Sequence, residues 1–305
     1  MEYMLIVRLY MKTIIFDGSN LLHRSYWVNS VRPTVATEYL FLNSIRKCIT
    51  KYKSEDILCM WDNRNTRDIK NFRQVLTEHN YKAQRDKEKT KKVYERCDLI
   101  QELSQLLGVV HLHPDMLEAD DYMNWLSKEL DDTVLITSDS DMIQCVSDKC
   151  VVYNPIKDVE INVSNFKDIT NTYTPDEFIT YKALVGDKSD NIPGIPGIGD
   201  KRARQMIRSS GISNLSLEHK AILEKNIKLI DLSVGVTMHE NEIPWYKKLY
   251  RKQMAKKRLN KSKFKNRCVE LRLNNVLKNY SDWIRAFDKT NTIENVVEKL
   301  IRLNT

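Results

Sequence analysis

Four short apolar runs, each leading into an acid, constrain this chain more than any other feature. Lys12-Thr13-Ile14-Ile15-Phe16 runs into Asp17-Gly18-Ser19-Asn20, and Asp56-Ile57-Leu58-Cys59-Met60-Trp61 runs into Asp62. Val109 to His113 leads to Glu118, and Thr133 to Ile136 leads to Asp139. Runs of this length, without polar alternation, read as strands buried on both faces. Val151-Val152-Tyr153 reads as a fifth strand. Leu21 to Tyr26, Thr37 to Tyr52, Leu99 to Leu107 and Tyr122 to Leu130 lie between the runs and read as helices. Alternating strands and helices predict a mainly parallel sheet covered on both faces. Sites in such sheets lie beyond the carboxyl ends of the strands. Asp17, Asp62, Glu118 with Asp120 and Asp121, and Asp139 with Asp141 are therefore expected along one edge.

The stretch from Leu117 to Asp141 concentrates this chemistry, with five carboxylates at the two ends of one helix–strand unit. Like charges held close raise one another's pKa unless cations neutralise them. An acidic first helical turn would account for Glu118 to Asp121 on its own. It does not account for acids after four successive strands, which point to a bound cation. Oxygen-only ligands favour magnesium or manganese, whereas zinc takes cysteine and histidine.

Composition limits the function classes. The chain has 305 residues, 42% apolar and 30% charged, enough for one large or two smaller domains. No run approaches the length of a membrane span, and Met1 to Tyr10 lacks the features of a signal peptide. These ten residues read as a dispensable extension, and the expected location is cytoplasmic. Six cysteines without a C-x-x-C pair read as reduced thiols. The net charge is +8, and residues 247 to 267 hold eleven Lys/Arg and no acid, so the remainder, eight less eleven, is −3. A basic tract beside an acidic pocket suits a protein that grips a polyanion and cuts it with metal ions.

Tyr81 to Arg96 carries seven basic and three acidic residues with almost no apolar stripe. It reads as a solvated helix or loop above the acid edge, with Tyr81 and Tyr94 available to stack on bases. Pro175 and adjacent acids mark a helix start. Gly194, Gly197 and Gly199 then let the backbone approach a partner, and a helix follows at once. Amides at a helix N-terminus cradle phosphate, with Lys201 and Arg202 adding charge. His111 and His113 read as a strand-face pair and not as ligands, and Met123 and Trp125 as core. The aromatics from Trp245 to Tyr250 suit either stacking on single-stranded nucleic acid or helix packing.

Taken together, Phe16-Asp17-Gly18-Ser19-Asn20, Asp62, Tyr81-Lys82 with Arg85, Glu118-Ala119-Asp120-Asp121, Ser138-Asp139-Ser140-Asp141, and Gly186-Asp187-Lys188-Ser189-Asp190-Asn191 running into Gly194 to Gly199 resemble the 5′-nuclease superfamily. These are flap endonucleases and 5′→3′ exonucleases, and the bacteriophage members, phage ribonuclease H included, are the most similar. The resemblance covers about residues 12 to 210. It implies a PIN-like (resolvase-like) three-layer α/β domain at 1–172, with a helical arch at about 81–100. A helical domain at 173–305 would follow, with a helix–hairpin–helix-like DNA-binding region at 186–206 and the basic segment 247–267.

The resemblance assigns one metal group to Asp17, Asp62, Glu118, Asp120, Asp121 and Asp139, and a second to Asp141, Asp187 and Asp190. It gives Lys82 and Arg85 catalytic roles at the scissile phosphate, and DNA contacts to Tyr81, Gly194, Gly197, Gly199, Lys201 and Arg202. Two or more Mg2+ ions are implied, with Mn2+ able to substitute, and K+ on carbonyls of the glycine hairpin. The expected function is structure-specific hydrolysis of DNA bearing a 5′ flap or 5′ end, by a monomer in replication or repair. A ribonuclease H-type activity on RNA–DNA hybrid is the alternative, and an inactive DNA-binding protein a remoter one. A single-strand-binding or clamp protein is the expected protein partner. The segment after Lys82 is short for the phage members, and from about Ser213 onward the pattern is lost.

Overall fold

The computed structural model describes residues 12–288 apart from 55, 63–71, 79, 85, 116 and 210. Arg85 and residues Met1 to Tyr10, for which roles were expected above, lie outside the described residues. The chain runs β1 (Thr13–Asp17), α1 (Gly18–Val31), α2 (Thr37–Tyr52), β2 (Asp56–Met60), α3 (Phe72–Leu76), α4 (Lys87–Tyr94), α5 (Cys97–Leu106), β3 (Val110–Leu112), α6 (Ala119–Glu129), β4 (Thr133–Ile136), β5 (Cys150–Asn154) and β6 (Val159–Ile161). A mostly helical part follows: α7 (Phe166–Thr170), α8 (Pro175–Val185), β7 (Gly186–Asp187), β8 (Ile192–Pro193), α9 (Asp200–Arg208), α10 (Leu217–Ile230), α11 (Leu232–Met238), α12 (Ile243–Lys256), α13 (Lys261–Glu270), α14 (Asn274–Leu277) and α15 (Tyr280–Arg285). No helix among the described residues is long and apolar enough to cross a membrane.

The five expected strands and a short sixth form one sheet in the order β3-β2-β1-β4-β5-β6. All neighbours are parallel except β6, which returns antiparallel to β5. Ile14, Ile15 and Phe16 of β1 are fully buried, each stabilising the fold by about 1.5–3 kcal/mol relative to exposure. Phe16 lies opposite both Cys59 and Ile136, so β1 is central. Strand order reverses between β1 and β4, and this switch point opens a crevice at the carboxyl edge.

Helices cover both sheet faces. On one, Phe41, Ile45, Ile100 and Leu103 pack with Phe264, Trp283 and Phe287 from the C-terminal helices. On the other, Tyr122, Met123 and Leu126 of α6 pack with Phe178, Leu232 and Tyr246. A third cluster lies under the glycine hairpin and joins Ala183 and Leu184 to Ile195, Ile198 and Leu229. The expected division at 172/173 thus runs through two shared cores: residues after it complete both faces of the sheet.

The segment 81–96 is mostly exposed, as read, but its helix is anchored at one end. Val93 is fully buried in the α5 cluster, and the Tyr94 ring lies edge-on against His23 with centroids 5.7 Å apart. One buried valine and one half-buried tyrosine suffice to seat a helix as short as α4. His111 is a satisfied core residue. Its Nδ1 accepts from Trp61 Nε1–H at 2.8 Å, and its Nε2 meets Ser104 Oγ at 2.9 Å. Burial and then the neighbouring His113 push its pKa down to about 3, so the imidazole is neutral.

Candidate metal centre

Asp17 ends β1 and also caps α1. Its Oδ1 accepts from Asn20 N–H at 2.8 Å and its Oδ2 from the Thr137 hydroxyl at 3.0 Å. Thr137 Oγ1 in turn accepts from Asp139 N–H at 3.0 Å, which ties the ends of β1 and β4 together across the switch point. Asp62 is placed by Ala119, whose N–H donates to Asp62 Oδ1 at 3.1 Å. Asp120 projects from the first turn of α6. Burial, reinforced by Asp62 and Asp139, pushes the Asp17 carboxyl up from 3.8 to about 7, against the pull of Asn20 N–H. Asp120 moves the same way, through burial and then Asp17 and Asp139. No Lys or Arg among the described residues forms an ion pair with Asp17, Asp62, Asp120 or Asp139.

The other five acids are each held by an internal cation. Arg73, 1% exposed, donates to both oxygens of Asp121 at 2.6 and 2.8 Å, to Glu118 Oε2 at 3.0 Å and to the Leu229 carbonyl at 2.8 Å. The Asp121 carboxylate outweighs the desolvation of Arg73 and keeps the guanidinium charged. A Cβ at Gly235 would lie 2.7 Å from the same carboxylate. Asp121 therefore faces inward as the counter-ion of Arg73, a correction to its expected place with Glu118 and Asp120 in one ligand group.

Lys82 Nζ donates to Glu118 Oε1 at 3.0 Å and lies 3.8 Å from Asp190 Oδ2. Burial alone would raise Glu118, but Lys82 and Arg73 prevail and hold it at about 2. Lys82 has φ 54°, a left-handed conformation that costs a non-glycine residue on the order of 1–3 kcal/mol. Its own N–H donates to the Asp190 carbonyl at 3.2 Å, which pins the loop to the hairpin. Tyr81 is 5% exposed, and its hydroxyl donates to Asp190 Oδ2 at 2.9 Å and lies 3.2 Å from Glu118 Oε2. It is a strut between acids, a correction to the expected stacking platform.

Lys182, absent from the expected set, bridges Asp141 and Asp187, with Asp187 Oδ2 at 2.6 Å. It is 7% exposed, in a helix whose Phe178, Ala183 and Leu184 are core. A lone lysine among apolar helix positions was its only signal in the sequence. Burial would raise Asp187, but Lys182 and Ser189 outweigh it and hold the carboxyl down at about 2. Of the expected second group, Asp141 and Asp187 thus meet at Lys182, while Asp190 turns to Tyr81 and Lys82.

In the hairpin, Gly186 and Gly194 use their missing side chains internally. A Cβ on Gly186 would lie 2.3 Å from Gly194 N, and one on Gly194 would lie 2.3 Å from the Val185 carbonyl oxygen. Gly194 serves the packing of β7 on β8, a correction to its expected approach to DNA. Gly197 takes φ 75°, and Gly199 faces open space just ahead of α9. Lys201 and Arg202 are exposed at the start of α9. Arg202 Nη1 reaches back to the Gly197 carbonyl at 3.2 Å. A groove of about 700 Å³ opens beside the acids, between Asn20, Arg24, Trp27, Val31, Ser138 and Ile156.

Among the described residues, no three His, Cys, Asp or Glu side chains close into a ready ligand cage. Asp17, Asp62, Asp120 and Asp139 offer only oxygen donors, and burial with neighbouring carboxylates pushes Asp17 and Asp120 toward protonation. That fits a hard divalent cation that keeps part of its water shell.

A family model described as the 5′-3′ exonuclease N-terminal resolvase-like domain matches residues 12–179, and one described as its C-terminal SAM fold matches 173–257. A 5′-3′ exonuclease of Buchnera aphidicola subsp. Schizaphis graminum is 34% identical over 214 residues, covering 66% of this chain and 72% of the relative. A thermostable DNA polymerase I of Thermus filiformis is 28% identical over 255 residues, 76% of this chain but 29% of the polymerase. The chain therefore spans most of the stand-alone exonuclease and under a third of the polymerase. A crystal structure of the bacteriophage T5 flap endonuclease, in a complex with DNA and metal ions, superposes with a TM-score of 0.65 at 21% identity, covering 80% of this chain and 100% of that one. With both domain models in register and the acids at the switch point of a resolvase-like sheet, the chain belongs to the 5′-3′ exonuclease family of 5′-nucleases.

Proposed function

We propose that this protein is a magnesium-dependent, structure-specific nuclease that hydrolyses phosphodiesters in DNA carrying a 5′ flap or a 5′ end. The observation that carries this reading is the contrast within one acid edge. Four carboxylates pair with no Lys or Arg among the described residues, and one of them, Asp17, is pushed up to about 7. Beside them, five more are held by Arg73, Lys82 and Lys182.

Asp17, Asp62, Asp120 and Asp139 would hold one divalent ion, with Glu118 at their margin, and Asp141, Asp187 and Asp190 a second. Such ions supply Lewis-acid charge for phosphodiester hydrolysis. Lys82 has the position and charge to turn from Glu118 to the scissile phosphate and neutralise charge developing there. Lys182 holds Asp141 and Asp187 together, and a second divalent ion would take the place of its ammonium. Gly199, Lys201 and Arg202 would meet duplex phosphates at the start of α9. Potassium at the hairpin carbonyls of residues 194–199 would have to compete with Arg202 at Gly197.

The test is cleavage of end-labelled flap, nicked and RNA-primed substrates with and without Mg2+, and with Mn2+ in its place. Metal-dependent release of a 5′ fragment from the flap or nicked DNA is expected. Equal turnover with and without metal, or none on any substrate, would overturn the proposal. Preference for the RNA-primed end would redirect it to primer removal.

A further inference from the structure

Two lysines of the basic tract are fastened to acids outside the nine of the candidate centre. α6 starts at the acid edge with Ala119 and runs back to Glu129, while Asp56 is the first residue of β2. α12 is fastened to both: Lys247 pairs with Glu129 at 2.9 Å, and Lys257, just past the helix end, pairs with Asp56. The lysines at 247 and 257 thus tie α12 to the strand-start side, while its Tyr246 ring packs on Tyr122 in the first turn of α6 with centroids 4.8 Å apart.

The inner face of α12 is settled by packing. Ile243, Tyr246, Tyr250 and Met254 join the core cluster on that side of the sheet, and Tyr122 OH donates to the Tyr246 carbonyl at 3.1 Å. Tyr246 and Tyr250 are thus structural. The opposite face carries Trp245, Lys248, Arg251, Lys252 and Lys256, spaced three or four residues apart and so on one side of the helix. Trp245 is 45% exposed. The four cations are exposed, and none forms an ion pair among the described residues. The stripe from Trp245 to Lys256 is about 16 Å long at 1.5 Å per residue. Tyr246 is buried and Tyr250 half-buried, whereas Trp245 lies edge-on against Tyr246 and exposes its outer side at the end of a row of cations, so this face has two recognition elements. The cations suit any polyanion; the exposed indole adds a platform that suits one with unstacked bases.

We propose that the outer face of α12 is a second nucleic-acid site, separate from the acid cluster, that binds single-stranded nucleic acid through stacking on Trp245 and phosphate contacts to Lys248, Arg251, Lys252 and Lys256. This site does not depend on the catalytic reading, because its occupancy is measured without cleavage.

The experiment is fluorescence anisotropy of labelled dT12 and rU12 on the full chain in EDTA, over a range of salt. The combined change Lys248→Ala, Arg251→Ala, Lys252→Ala and Lys256→Ala is expected to reduce the salt slope by about three, at about 0.7 for each phosphate that the parent neutralises on a single strand. Trp245→Ala is expected to weaken dT12 binding about tenfold. The four-arginine variant at the same positions should bind like the parent and exclude a folding artefact. An unchanged slope in the four-alanine variant overturns the site. So does a slope change joined to an unaltered dT12 affinity in Trp245→Ala, with poly-glutamate competing as well as dT12, which would make the face a dock for acidic protein. Equal responses with dT12 and rU12 mark a site blind to the sugar, and unequal ones identify the preferred strand; both support it.

Discussion

The acid edge holds two populations of the same side chain, and their difference carries the chemistry. Asp17, Asp62, Asp120 and Asp139 stand around the switch point with no Lys or Arg paired to them among the described residues. Burial and mutual repulsion accordingly drive Asp17 and Asp120 toward protonation. Glu118, Asp121, Asp141, Asp187 and Asp190 sit close by, and each meets Arg73, Lys82 or Lys182. Glu118 and Asp187 are consequently held at about 2. Buried counter-ions hold Glu118 and Asp187 down, whereas burial of Asp121 outweighs Arg73 and moves that carboxyl up.

Removing one acid from the first population, and one counter-ion from the second, should break the comparison most sharply. Asp139→Asn is expected to lower flap cleavage by about a thousandfold, at the upper end of the effect of deleting one electrostatic group from a site. DNA binding should be retained and the metal-free protein left no less stable, because a repulsion is relieved. Turnover within tenfold of the parent would remove Asp139 from the centre. Arg73→Met should do the reverse to stability. It strands the buried Asp121 carboxylate, a change that costs about 3–5 kcal/mol and is read as a lowered midpoint in urea. A drop below about 1 kcal/mol would mean that Asp121 finds another partner or takes a proton at little cost.

A smaller effect is expected at Lys82. Lys82→Ala should reduce turnover about a hundredfold with little change in binding, since the hydrogen bond from its backbone to Asp190 survives the substitution. A fall in affinity alone, at unaltered turnover, would make it a binding residue.

The smallest effect sharpens the contrast through pH. Glu118 and Asp187 release protons more readily in the folded protein than in the unfolded chain, where they titrate near 4.5 and 3.8. Their contribution is lost as pH falls from there toward about 2. Asp17 keeps a proton in the folded state up to about 7 that the unfolded chain has released by 3.8. Stability therefore declines as pH rises from about 4 through about 7. Metal-free protein should show a melting maximum near pH 4 to 5, and Mg2+ should remove the decline on the neutral side by favouring ionised Asp17. A neutral-side decline that Mg2+ leaves untouched would detach Asp17 from the metal.

Much of the fold was legible because strands buried on both faces need continuous apolar runs, and β1, β2 and β4 each hold one of three or four residues. The antiparallel β6 and the two-residue β7 and β8 were not legible, since they are too short to hold a pattern. The seat of α4 was hidden for a related reason: Val93 and Tyr94 are too few to form a stripe among so many charges. Acids at strand ends could be read from order alone. Their counter-ions could not, because Arg73 and Asp121 are 48 residues apart and Lys182 and Asp141 are 41 apart.

What the sequence by itself determined is the succession of strands and helices that builds a parallel sheet, the edge on which the acids collect, and the glycine hairpin that follows. Those properties follow from local periodicity and from the direction in which each strand runs. Tertiary structure alone decided which carboxylates are neutralised from within, that Tyr81 and Gly194 face inward, and that Tyr246 is core while Trp245 is exposed. These depend on contacts between distant segments, and the energy of a buried charge is set by what folding places beside it, not by its neighbours along the chain.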